Sequence, residues 1–169
     1  MVNTKKVEQR VCRYRSLDEL SSELDRIEGW HQEGTLIRRG NWSEGMIFEH
    51  IALVFGFSMD GYPFKFAAPG RMMTKLLFKK KVMNGGTFPA GIKPPPKFMV
   101  SGDAAAATPS ESTTFEQGIE QLRSVIARVH NGEQMTQPSP IFGPLTHQEG
   151  IRKQLAHAEL HLSFLDTNS

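Results

Sequence analysis

The stretch THQEGIRKQLAHAELHLSFL, residues 146–165, decides how the whole chain is read. Thr146 followed three residues later by Glu149 is a capping box, in which each side chain satisfies a backbone N–H left bare by the first helical turn. At about 100° per residue, Leu160, Phe164, His157, His161, Leu165, Ala158, Ile151, Leu162 and Leu155 gather on one broad arc. Arg152, Ser163 and Glu159 fall on the remaining side. The pattern predicts a helix to about Leu165, with His157 and His161 stacked one turn apart inside its apolar arc. Two imidazoles side by side in an apolar setting are a chemical problem. Burial and mutual repulsion disfavour their charged forms, and each neutral ring has a donor and an acceptor nitrogen to satisfy. A divalent cation takes one lone pair from each ring and removes much of that cost.

The same capping signal recurs upstream. Ser16 and Glu19 open a first helix, about Leu17 to Glu28, with Leu17, Leu20, Leu24 and Ile27 at helical spacing and Gly29 as its stop. Asn41 and Glu44 open a second helix that runs to about Met59 and ends at Asp60-Gly61. Thr113 and Glu116 open a third, which ends at His130 before Asn131-Gly132. There is no internal repeat and no strong strand alternation. The fold class expected is all-α, a four-helix bundle in one domain with its core at about residues 16–166 and a long crossover between helices two and three. That crossover spans roughly fifty residues, too many for a tight hairpin. It holds a short helix, Arg71 to Met83, and then the run Phe88 to Pro96, whose consecutive prolines 94–96 forbid helix. The first fifteen residues and the tail after Leu165 are expected to fray.

On the second helix, His50 has Met46, Ile47, Leu53, Val54 and Phe57 at −4, −3, +3, +4 and +7. This places it at the centre of a core-facing stripe, where a lone imidazole is costly without a partner. If the second and last helices are neighbours, His50 meets His157 and His161 across the core. The other histidines read as ordinary. His31 is placed in the loop after helix one, His130 at a helix C-terminus where a positive ring meets the dipole, and His147 exposed at the start of the last helix. Glu49 and Glu159 adjoin the ligands but project about 100° away, which makes them surface or supporting groups. Trp42 and Tyr62 read as packing residues at the two ends of helix two, and no general base is identified.

Composition narrows the class further. Cys12 is the single cysteine, so no intrachain disulfide or cysteine-built zinc site can form, and a reduced, cytoplasmic setting is expected. No run approaches the roughly 18 apolar residues of a transmembrane segment, and residues 1–15 carry no apolar core of a secretory signal. Charge is uneven. Between Gly61 and Gly102 lie Lys65, Arg71, Lys75, Lys79, Lys80, Lys81, Lys93 and Lys97 with no acid, a segment of +8 that leaves −6 on the rest.

The block Gly40-Asn41-Trp42-Ser43-Glu44-Gly45, then His50-Ile51-Ala52, Ser58-Met59-Asp60-Gly61-Tyr62-Pro63 and the final His157-Ala158-Glu159-Leu160-His161-Leu162 resembles the DinB/YfiT-like metalloenzyme superfamily, in a branch of unassigned function. The resemblance covers helices two and four well and the others by pattern only. It implies a four-helix bundle whose metal ligands are one histidine on helix two and an H-x-x-x-H pair on the last helix, here His50, His157 and His161. Imidazole ligands suit zinc or nickel best, with iron and manganese open. The resemblance further implies a thiol-dependent S-transferase acting on a low-molecular-weight thiol and an electrophilic small molecule, in a chain able to form a homodimer. Two other readings stay open: a metal-dependent hydrolase with the same ligands, and a non-enzymatic binding protein with a structural or relict metal. In the last, Arg71 to Lys81, with Met72, Met73, Leu76 and Leu77, meets an acidic partner, a nucleic acid or an anionic membrane. Against this stands a simple solvated basic face, the favoured reading, which makes nucleic acid an unlikely partner. Apolar residues within Phe64 to Phe78 are the candidates for a dimer contact.

Overall fold

A computed structural model describes residues 2–90 and 99–168, so the proline run 94–96 lies outside the described residues. The chain is mostly helical. Its elements are α1 (Leu17–Gln32), β1 (Leu36–Arg38), α2 (Glu44–Asp60), β2 (Phe64–Phe66), α3 (Ala68–Thr74), a π-helical turn (Lys75–Lys79), α4 (Lys80–Met83), β3 (Met99–Gly102), a 3₁₀ turn (Ala104–Ala107), α5 (Phe115–His130), α6 (His147–Leu162) and β4 (Leu165–Thr167). Among the described residues, no helix is long and apolar enough to cross a membrane.

The core is built from Leu20, Leu24 and Ile27 of α1, Ile47, Phe48, Ile51 and Phe55 of α2, Ile119, Leu122 and Ile126 of α5, and Leu155, Ala158 and Leu162 of α6. Each large side chain fully buried there contributes roughly 1.5–3 kcal/mol of transfer free energy. Helices α2 and α5 come closest. A Cβ added to Gly118 would lie 2.5 Å from the Gly45 carbonyl oxygen, and one on Gly45 would lie 2.3 Å from that of Thr113. Only two bare backbones can cross so tightly, and the crossing sets Phe48 edge-on against Phe115.

Several expectations are corrected. The helical class holds, and to it the fold adds two short antiparallel strand pairs that were not expected, β1 with β4 and β2 with β3. The chain ends are packed where fraying was expected. Residues Leu165–Thr167 pair with β1, and the Arg10 amide donates to the Ser163 carbonyl at 3.0 Å. Cys12 and Tyr14 are buried in the core. This N-terminal strap lies over the side of α6 assigned to solvent, so Glu159 and Ser163 are buried. Glu159 accepts from the Tyr14 amide at 2.9 Å and from Arg152 Nη2 at 2.9 Å.

Helix ends shift as well. α1 runs through Gly29 to Gln32, which puts His31 in its last turn. α2 is capped by Ser43, whose side chain accepts from the Met46 amide, while Asn41 instead bonds the backbone of Val2. The capping box of α5 is Thr114 with Gln117, one residue later than expected. α6 has the expected Thr146–Glu149 box but stops at Leu162.

The crossover carries the expected short helix, longer at its start and loosened by the π turn. Its inner side packs Val82 with Phe142 and Ala156 as a second small core. Its outer side leaves Met72, Met73, Leu76 and Leu77 exposed.

Candidate metal centre

Helices α2 and α6 run antiparallel, and their seam is built in layers. Trp42, just before α2, stacks on His161 with ring centroids 5.6 Å apart and 8° between planes. His50 then meets His157, with its Nε2 3.1 Å from the partner Nε2. Next, Gln154 Nε2 donates to the Val54 carbonyl at 2.7 Å and to Ser58 Oγ. Last, Lys153 Nζ donates to Tyr62 Oη at 2.6 Å.

The three histidines form a closed triangle. Ring centroids are 4.9 Å apart for His50 and His157, and 4.6 Å apart for the two pairs that include His161. One ligand nitrogen from each ring lies within 4.8 Å of the others, so the group could hold a metal ion. A tetrahedral zinc with bonds of ~2.0–2.1 Å sets its ligand nitrogens about 3.3 Å apart, close to the 3.1 Å separation of the first pair. All three residues are partly buried. The buried stripe of α2 is Ile47, Phe48, Ile51, Ala52, Phe55 and Met59. His50 therefore lies on the flank of that stripe, a correction to its expected central place.

Protonation is set by the surroundings. His50 Nδ1 lies 2.6 Å from the Ala107 carbonyl oxygen, which can only accept. Nδ1 therefore carries the proton, and Nε2 offers its lone pair to the centre. Burial pushes the His50 pKa below its ordinary value, with the Ala107 carbonyl opposing. His157 and His161 are pushed well below theirs, by burial first and then by the neighbouring charges, those of His161, His50 and Lys153 on His157 and that of His50 on His161. Neutral rings are the form that binds metal. In the absence of a cation, His157 Nε2–H donates a hydrogen bond to His50 Nε2. Its Nδ1 is then a buried acceptor, and that atom has no partner among the described residues.

Other groups position these. Glu49 accepts from the Ser110 amide at 2.7 Å and from Thr113 Oγ1 at 2.6 Å, fastening the end of the crossover to α2. Ser110 follows closely on the turn that carries Ala107. The remaining histidines stand apart from the triangle. His31 stacks on Phe115 at 3.8 Å, His130 Nε2 lies 3.6 Å from Asp18, and the His147 Nδ1, expected to be exposed, accepts from the Met135 amide at 3.1 Å.

Sequence reasoning missed three partners: the Ala107 carbonyl, the contact of Trp42 with His161, and Lys153. A signal existed for the last, because Lys153, His157 and His161 recur every four residues along one face of α6.

A family model described as "Protein of unknown function (DUF1569)" matches residues 6–168. The chain belongs to the DUF1569 family. No curated protein and no solved structure matches it. The match spans both arms of the DUF1569 chain that supply histidines, and it is compatible with the DinB/YfiT-like resemblance.

Proposed function

We propose that this DUF1569 protein is a metal-dependent enzyme of the DinB-like type. His50, His157 and His161 are its ligands, and zinc or nickel is the divalent metal. The observation that carries the reading is the triangle itself: three rings from two helices within reach of one cation, each kept uncharged by its surroundings. Three protein ligands leave coordination positions open, the pattern of a catalytic rather than an enclosed structural site. When bound, the metal would act as a Lewis acid and lower the pKa of the substrate atom in those positions.

The chain's own residues supply the rest. The Ala107 carbonyl holds His50 in one tautomer and one orientation. Trp42 walls one side and restricts the His161 ring by stacking on it. The three residues are only partly buried, which is compatible with a substrate reaching the centre. The reaction class we favour, following the family resemblance, is S-transfer, with a low-molecular-weight thiol and an electrophile as the two substrates. The basic crossover residues Lys75, Lys80 and Lys81 lie exposed at the surface, where their field attracts an anionic cosubstrate.

Elemental analysis of the purified protein tests the reading, together with thiol-consumption assays against a panel of electrophiles. The expected result is close to one metal per chain, lost when any of the three histidines is changed to Ala. A folded protein that holds no metal and takes up neither zinc nor nickel on incubation defeats it.

A further inference from the structure

Lys153 is an ammonium group shut inside the protein, only 4% exposed. Its hydrogen-bond partner among the described residues is the Tyr62 hydroxyl, at 2.6 Å. Tyr62 Oη lies 2.7 Å from Ser58 Oγ, and Ser58 Oγ donates in turn to the Val54 carbonyl at 3.3 Å. Gln154 Nε2 donates to both Ser58 Oγ and Val54 O. The donors thus run in one direction, from Lys153 to Tyr62 to Ser58 to the backbone, and no member carries a negative charge. Both carboxylates on the same helix are already engaged, Glu159 by Arg152 and Glu149 by Lys79. Two of the three ammonium protons therefore have no acceptor among the described residues. Lysines buried to this degree are almost never left without a counter-charge. Lys153 lies one turn before His157 on the same face of α6, and the Gln154–Ser58 pair stands between its contact with Tyr62 and the histidine layer.

We infer that Lys153 and Tyr62 form an oxyanion-binding subsite for the ligand of the three-histidine centre. That ligand is a small acid with a carboxylate or phosphate group at one end and, at the other, the atom presented to the histidines. The inference rests on the metal reading for the position of the ligand's other end. It deepens that reading by naming the chemistry of the substrate. The incoming anion supplies the missing counter-charge to Lys153, while Tyr62, held by Ser58, keeps the ammonium directed.

Full-length protein loaded with cobalt gives visible bands that report on ligands entering the centre. Succinate, 3-phosphonopropionate and the neutral succinamide are titrated into wild type, Lys153→Met, Lys153→Arg and Tyr62→Phe. At least one diacid binds saturably to wild type, and succinamide binds at least tenfold more weakly. Lys153→Met keeps the wild-type cobalt stoichiometry and loses at least tenfold in diacid affinity. Lys153→Arg recovers part of that loss, and Tyr62→Phe, which keeps the charge, loses about threefold. The tighter diacid tells whether the natural group is a carboxylate or a phosphate. If Lys153→Met does not fold, the Tyr62→Phe loss decides the matter, and its absence counts against the subsite. Equal diacid affinity in wild type and Lys153→Met, or no saturable diacid binding to wild type, overturns this inference while leaving the metal reading intact. Failure of wild type to take up cobalt overturns both.

Discussion

Helix α6 buries two charges of opposite sign, and they are treated differently. Glu159, 1% exposed, faces the N-terminal strap, where Arg152 and the Tyr14 amide both donate to it. Lys153, 4% exposed, faces α2 and has a phenol and no carboxylate. Both lie within four residues of His157. A charge that serves the fold alone comes with its counter-charge built in, because an unpaired one costs several kcal/mol. A charge left uncompensated beside a cluster of metal-competent rings is matched to something that arrives from outside. The contrast separates a structural side of α6 from a functional one on a single sixteen-residue helix.

The largest effect expected from breaking this contrast is at Glu159. Glu159→Ala strands Arg152 and frees the strap, and stability should fall by about 3 kcal/mol, the lower end for a buried pair because Arg152 keeps some solvent. Urea denaturation measures it, and a loss under 1 kcal/mol would show that the strap does not depend on this pair.

Next is His157→Ala, two residues away. It should leave the metal-free fold standing and abolish the metal-induced rise in stability, which for wild type is about 2.7 kcal/mol at metal concentrations 100-fold above Kd. Thermal melts with and without zinc read the difference. Acid sharpens the same point. The three rings have folded pKa values below the ordinary 6.5, so below that pH the unfolded chain binds protons that the folded one refuses. Their contribution to stability should be complete above about pH 6.5 and decline as the pH falls toward the depressed folded values. Urea midpoints of metal-free protein from pH 8 to 5 should trace that direction. His157→Ala should flatten it.

Gly118→Ala tests whether the α2–α6 seam depends on α5. The added methyl meets the Gly45 backbone, and overpacking of this kind costs about 1–3 kcal/mol. Because α2 must move, metal affinity should fall along with stability. A variant that loses stability and keeps full metal affinity would show that the seam is held by α6 alone. The smallest change is expected at Lys153. Lys153→Met removes an uncompensated charge and fills the same volume, so stability should stay within about 1 kcal/mol of wild type or rise. A large loss there would reverse the comparison and make Lys153 structural.

How much of this was legible in sequence depends on how local each signal is. The Thr146–Glu149 box and the spacing of His157 and His161 are set within two turns of one helix, and both are present as read. The α5 cap was misplaced by one residue because Thr113 and Thr114 stand side by side, and Glu49 holds Thr113 by its hydroxyl. Glu159 was read as facing water because a helical wheel contains only the helix. The element that covers that side, residues 10–14, lies about 145 residues earlier in the chain. His50 was placed mid-stripe because Leu53, Val54 and Phe57 are apolar. These three are only partly buried, since that flank of α2 borders the site.

By itself the sequence determined the long helices, their N-caps to within two residues, and the three candidate histidines. Those depend on spacing along one helix and on the cost of leaving polar atoms bare. Only the tertiary structure decided that α2 and α6 lie side by side, that the Ala107 carbonyl sets the tautomer of His50, and which buried charge of α6 is paired. Partnership between groups a hundred residues apart is a matter of distance in space, and an isolated run of residues carries no measure of that.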